Sequence, residues 1–268
     1  MKIALGILSL LYKLYVGVVF VAILLILYPF FLLVLSRKCW CKYSFPINVV
    51  WSWLMRIFMV VWVHRVKSVP MPKGPYMIIA NHTSYLDIFL LYSLLPQHRF
   101  LFMGKGEILS YPLIKTFFKR LNIPVFRGDR LKAARSFIQA KTAVREGWSI
   151  VIFPEGGIPD HSPQMIPFKD GAFKLAKSEG IPIVPITFLD NYHLFSDPEH
   201  PLGYAHPGIS RVYIHDIVTT EQVAALSEQE LSALTYGVIA APLIERGLMK
   251  APGTENSGTD SLPNEAND

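Results

Sequence analysis

Between Lys13 and the Arg37-Lys38 pair lie 23 residues, 14–36, without a single charged side chain. As a helix this run would be ~35 Å long, against a bilayer hydrocarbon core of ~30 Å. A cleavable leader would be shorter and would end in small residues, and neither holds here. An uncleaved membrane anchor is therefore expected, with Pro29 as a site for a kink. Lys2 and Lys13 precede the run, while Arg37, Lys38 and Lys42 follow it. That excess favours the C-terminal side as cytoplasmic, so the expected location is the inner or cytoplasmic membrane with the body of the chain on its cytoplasmic face. A second apolar segment, 47–63, carries Trp51, Trp53 and Trp62 with Arg56 as its only charge. It reads either as the return arm of a helical hairpin lying in one leaflet or as a buried helix of the globular domain.

From residue 61 the pattern changes to alternation. Short apolar, β-branched runs fall at 61–66, 76–80, 99–103, 122–126, 149–153, 183–188 and 211–215. Helical periodicity fits 86–95, 111–120, 131–146, 170–179 and 228–248. Such alternation predicts an α/β fold: a mixed sheet of about seven strands flanked by helices, preceded by an N-terminal membrane-associated helical hairpin. The expected organisation is a hairpin over 1–60, one α/β domain over 61–250, and an acidic tail over 251–268. The tail, rich in Gly, Ser, Asn and Pro, reads as disordered. The formal charge of +6 includes four acids in that tail, so residues 1–250 carry +10. A basic body behind an apolar anchor suits an anionic membrane surface and phosphate-bearing ligands. No nucleic-acid motif is present, and none is expected as partner.

The chemistry concentrates in two segments. Asn81-His82-Thr83-Ser84-Tyr85-Leu86-Asp87 spans a change from strand to helix. On one regular helix a five-residue offset would turn the two side chains ~140° apart. With His82 in the loop and Asp87 in the first helical turn, the carboxylate can reach back and orient the imidazole as a base for a hydroxyl. The competing reading is a capping-box variant, with Thr83 or Ser84 as cap and Asp87 serving only helix amides. The second segment, Ser149-Ile-Val-Ile-Phe-Pro-Glu-Gly-Gly157, is a buried strand stopped by Pro154. Glu155 and Gly156 would then project from a strand end, although an ordinary turn carboxylate reads the same way.

Together these segments resemble the glycerolipid acyltransferase family, in its bacterial 1-acyl-sn-glycerol-3-phosphate (lysophosphatidic acid) acyltransferase branch. The family's N-H-x-S-x-x-D block is matched by Asn81, His82, Ser84 and Asp87. Its strand ending in a phosphate-binding arginine resembles Ile123-Pro124-Val125-Phe126-Arg127, and its F-P-E-G block resembles Phe153-Pro154-Glu155-Gly156. Its V-P-V-type strand is similar to Ile183-Val184-Pro185-Ile186, and Phe168 to Ala172 resembles its usual continuation. The resemblance covers roughly 60–220. It implies transfer of a fatty acyl group from acyl-CoA or acyl-carrier protein to the sn-2 hydroxyl of lysophosphatidic acid. His82 and Asp87 would be catalytic, Arg127 would hold the phosphate, and Glu155 and Gly156 would shape the glycerol site. No cofactor beyond the thioester co-substrate is expected, and no acyl-enzyme, since no nucleophilic Ser or Cys stands out. The family usually has Thr after Glu-Gly, where this chain has Gly157-Ile158-Pro159. That departure leaves room for another lysolipid acceptor; a thioester hydrolase and an inactive membrane scaffold are the remaining alternatives.

Other candidates are weaker. Arg130 could join Arg127 in gripping a phosphate, or Asp129 between them could simply pair with an arginine. Lys105, in Gly-Lys-Gly after a strand, could face phosphate or stabilise a developing oxyanion, and Lys169, just before a helix start, could bind an anion. Cys39 and Cys41 lack the histidines of a zinc site and are too close for an unstrained disulfide. His193, His200 and His206 match no standard metal spacing, so 189–208 reads as a surface or lid loop and no metal is expected.

Overall fold

The computed structural model describes residues 2–250 except 111–114, 116, 117, 119, 127, 198 and 199. Its first helix, α1 (Lys2–Leu35), runs through Pro29 and over Ala4–Leu35 is long and apolar enough to cross a membrane. Val16, Ile23, Leu24, Phe31 and Leu35 form one buried stripe, whereas Leu14, Val18, Leu25, Ile26 and Leu33 lie exposed. An exposed apolar face of this kind is compatible with lipid around it.

A 3-10 turn, Lys38–Tyr43, reverses the chain into α2 (Ser44–Met59). The two helices run antiparallel: Tyr12 Oη donates to the Met59 carbonyl at 2.6 Å, while Phe31 meets Trp51 further along. The helix expected within 47–63 is thus shifted. It ends at Met59, Val60 takes a left-handed φ of 53°, and Val61 begins β1 (Val61–Lys67). The β-branched residues there pair with a later strand instead of extending the helix. Sixteen residues make ~24 Å, short of a ~30 Å hydrocarbon core. Phe45, Trp51 and Met55 of this helix are buried, while Val50, Trp53, Ile57 and Phe58 are exposed.

The remaining strands are β2 (Met77–Ala80), β3 (Phe100–Lys105), β4 (Ile123–Val125), β5 (Ser149–Ile152), β6 (Ile183–Phe188) and β7 (Gly208–Ile214). They form one sheet in the order β1-β7-β6-β2-β5-β3-β4. β6, β2, β5, β3 and β4 are mutually parallel; β7 runs antiparallel to β6 and parallel to β1. Central β2 shows why its residues are apolar throughout. Ile78 and Ala80 pack on the face that carries α1, α2 and α3 (Leu86–Leu94). Met77 and Ile79 pack on the other, under α4 (Arg130–Arg145), α5 (Gly171–Glu179) and α8 (Glu228–Glu245). Helices on both sides leave no polar face, as expected for parallel strands.

All seven expected strands are present, with ends shifted by up to three residues. The helix expected over 111–120 falls largely outside the described residues, as does the tail over 251–268. Two short helices, α6 (Asn191–Leu194) and α7 (Thr220–Ala225), carry no periodic signal long enough to be read from sequence.

Candidate active site

β2, β5, β6 and β3 are neighbours or near neighbours and point the same way, so the loops after their C-terminal ends converge. β2 delivers Asn81 and His82. Asn81 is wholly buried and brackets the Phe188 backbone, donating from Nδ2 to its carbonyl at 2.9 Å and accepting its N–H on Oδ1 at 2.8 Å. The loop after β2 is thereby tied to the end of β6.

His82 Nδ1 lies 3.0 Å from Asp87 Oδ2. The same oxygen accepts the backbone N–H groups of Thr83 at 2.7 Å and Ser84 at 2.9 Å. Asp87 therefore serves both readings of its position, holding the loop amides and orienting the imidazole. The helix cap differs from expectation: Tyr85 occupies the cap position, while Ser84 Oγ accepts from Leu86 N and donates to the Phe195 carbonyl. Asp87 Oδ1 accepts from Asn191 Nδ2 at 2.6 Å, and Asn191 Oδ1 in turn accepts from Ser210 Oγ at 2.6 Å. With these donors Asp87 is a fully buried but satisfied acceptor. The imidazole is stacked on Phe153, with ring centroids 4.1 Å apart. A hydrogen on Nδ1 facing the carboxylate leaves Nε2 as the acceptor, and His82 lines a large cavity.

Glu155 lies beneath this loop. Gly156, at φ 86°, closes a turn in which its N–H donates to the Phe153 carbonyl, a conformation that L side chains rarely adopt. Glu155 Oε1 accepts the His82 N–H at 2.8 Å and Oε2 accepts the Ile166 N–H at 3.3 Å. The carboxyl thus joins the β2 and β5 loops. Burial, and to a smaller extent the nearby Asp87 charge, push its pKa up to about 7 against the pull of the two amides.

The cavity that opens on His82 measures about 1330 Å³. One wall is apolar and comes from Val16, Phe20, Leu24, Trp51, Met55 and Phe89. The opposite end holds Lys105, Gly156, Gly157 and Lys169. A Cβ on Gly157 would stand 2.9 Å from Lys105 Nζ, so the absence of a side chain there makes room for that amine. Lys105 and Lys169 are both exposed, and Lys169 N donates to the Pro154 carbonyl, placing it beside the Glu155 turn. Arg130 opens α4 on the surface and does not line the cavity, while Asp129 pairs with Lys132. Arg127 lies outside the described residues.

The 189–208 loop forms the far side of the cavity through Tyr192, Phe195 and Tyr204. Lys13 of α1 reaches over to Ser196 Oγ and the His200 carbonyl. His206 Nε2 sits 2.7 Å from His193 Nδ1. Among the described residues no group of three His, Cys, Asp or Glu side chains is placed to hold a metal.

Asn191 and Ser210 were not singled out from the sequence, and Phe153 was named only within the Phe-Pro-Glu-Gly block, not for its stacking on His82. Ser210 is a wholly buried hydroxyl in β7, and Asn191 is a wholly buried amide three residues past the end of β6. A polar residue where burial is expected signals a paired network, but the partner of each is visible only in three dimensions.

The acyltransferase family matches residues 60–189. A 1-acyl-sn-glycerol-3-phosphate acyltransferase of Chlamydomonas reinhardtii is 31% identical over 56% of this chain and 44% of its own length. A chloroplastic one of Brassica napus is 30% identical over 57% and 43%, and one of Saccharomyces cerevisiae 32% over 63% and 56%. The chain matches about half the length of these curated relatives. The crystal structure of the 1-acyl-sn-glycerophosphate (LPA) acyltransferase PlsC from Thermotoga maritima superposes with a TM-score of 0.70, covering 92% of this chain and 98% of that one. At 23% identity that likeness is one of fold.

Proposed function

We propose, from the match of residues 60–189 to the acyltransferase family, that the protein transfers a fatty acyl group from acyl-CoA or acyl-carrier protein to the sn-2 hydroxyl of 1-acyl-sn-glycerol-3-phosphate, giving phosphatidic acid. The observation that carries this reading is the buried His82–Asp87 pair opening onto a cavity that is apolar on one side and cationic on the other.

His82 Nε2 takes the proton of the acceptor hydroxyl while Asp87, fixed by Thr83, Ser84 and Asn191, stabilises the imidazolium. The alkoxide attacks the thioester carbonyl directly. Collapse of the tetrahedral adduct breaks the carbon–sulfur bond, and His82 returns its proton to the departing thiolate. Lys105 and Lys169, which line the cavity, provide positive charge for the acceptor phosphate, and the family resemblance assigns Arg127 to the same phosphate. Glu155 holds the two loops in register and so shapes the glycerol site through them. Base catalysis supplies ~10²–10⁴-fold, so alignment of the two substrates in the cavity carries much of the remaining acceleration. The lysolipid would enter from a bilayer held by α1, with the site on the cytoplasmic side where the thioester donors are.

The test is acceptor-dependent formation of phosphatidic acid by detergent-purified protein, supplied with lysophosphatidic acid and either donor, beside a folded His82→Ala variant. Product from the wild type alone supports both transfer and base. Product with a different lysolipid only would assign the open space at Gly157 to another headgroup. Thioester loss without an acceptor would mark a hydrolase.

A further inference from the structure

Two polar side chains stand within the apolar part of the cavity. Asn48 on α2 is 4% exposed and Tyr92 on α3 is 8% exposed, and both line the cavity. Neither side chain makes a hydrogen bond to another described residue, and neither is among the wholly enclosed polar groups that lack a partner, so their polar atoms are left open to space beside them. Their levels on the two facing helices coincide. Phe45, one turn before Asn48, has its ring 5.6 Å from that of Tyr92. Ser52, one turn after Asn48, donates to the Phe89 carbonyl at 2.5 Å. Asn48 is thus held opposite the stretch of α3 between Phe89 and Tyr92. The surroundings are otherwise hydrocarbon and aromatic, with Phe20, Trp51 and Phe102 lining the same cavity.

A leucine and a phenylalanine there would present no unpaired polar atoms to an apolar cavity. An amide and a phenol can each donate and accept. A hydroxyl does the same, whereas a methylene chain or a lone carbonyl does not. We infer that Asn48 and Tyr92 form a subsite for a hydroxyl borne on the fatty chain, so that the protein selects hydroxylated acyl groups. The inference rests on the reading of this cavity as the acyl-chain site. Tyr92 lies six residues beyond the start of α3, ~9 Å further from the His82 loop along the helix. The hydroxyl therefore belongs in mid-chain, away from the thioester.

Competition between donors tests this. Stearoyl-CoA and one hydroxystearoyl-CoA are mixed in equal amounts, with the hydroxyl on carbon 3, 8, 10 or 12, and the product ratio is read by mass spectrometry. One mid-chain isomer is expected to be preferred by about fivefold for each hydrogen bond gained. With one hydrogen bond to each side chain, Asn48→Leu and Tyr92→Phe are each expected to lower the ratio by about fivefold, and the double variant to bring it close to one. The ratio is internal, so a loss of folded protein in a variant cancels. No preferred isomer, or a preference that survives both substitutions, overturns the inference and leaves water as the occupant. If the protein turns over no donor, the proposed reaction fails on its own. Calorimetric binding of free stearate against the free hydroxystearates then decides the subsite: tighter binding of a mid-chain isomer, lost in the double variant, supports it, and equal binding overturns it.

Discussion

The two sides of the candidate site are built on opposite physical terms. On one, His82, Asp87, Asn191 and Ser210 form a buried chain of hydrogen bonds anchored in β2, α3, α6 and β7. On the other, Lys105 and Lys169 are exposed side chains at the end of β3 and just before α5. The first is geometry set in advance by the fold; the second is charge carried on long, exposed side chains. Reactivity should therefore depend steeply on single atoms of the buried chain, and binding only shallowly on any one surface cation.

The largest test of that contrast is Asp87→Asn. It removes the charge that supports the imidazolium and places an amide against the Asn191 donor. A fall of about 10²–10⁴-fold in kcat is expected with little change in KM. A drop confined to KM would dissolve the distinction between the two sides.

Glu155 sharpens it through pH. Its carboxyl has a pKa of about 7 in the folded protein against an ordinary 4.5, so between those values the native state holds a proton that the unfolded state has lost. Stability should fall as pH rises through this window, by about 3 kcal/mol in total, and change no further above it. Unfolding in detergent from pH 4 to 8 reads the slope, which Glu155→Gln should flatten.

Asn191→Leu comes next. It withdraws the donor from Asp87 Oδ1 and leaves Ser210 Oγ unpaired in the core. About tenfold in kcat is expected, with a loss of ~1–3 kcal/mol in stability. Wild-type kcat in a less stable protein would make the residue structural only.

The smallest effect is expected at Gly157→Thr. The new Cβ would press on Lys105 Nζ, which can swing away because it ends a long side chain. A rise of only about two- to fivefold in KM for a phosphate-bearing acceptor is expected, with kcat preserved. A large fall in kcat would mean that the cationic side is as rigidly built as the other.

Strands such as 183–188 were legible because a sheet covered on both faces needs continuous apolar runs, and that signal survives in one dimension. Where α2 ends was not, because the apolar residues at 61–63 suit a helix as well as an edge strand. Pairing with Gly208–Ser210 decides it, and local sequence says nothing about that partner. His82, Asp87 and Glu155 were legible through spacing and through the turn residues beside them. Asn191 and Ser210 were hidden, since they reach Asp87 from more than a hundred residues away. Lys105 could be named, but not its approach to Gly157, which depends on β3 and β5 being paired neighbours with their C-terminal ends side by side.

The pairing of β1 with β7 also bears on biosynthesis. β1 emerges immediately after the helical hairpin, while its only ladder partner begins at Gly208. At ~5–20 residues per second, the roughly 140 residues between them take ~7–30 s to make. Throughout that interval the nascent strand is an open edge without its ladder partner. Arg65 and Lys67 place two cationic side chains on that edge, and like charge disfavours pairing with a second copy.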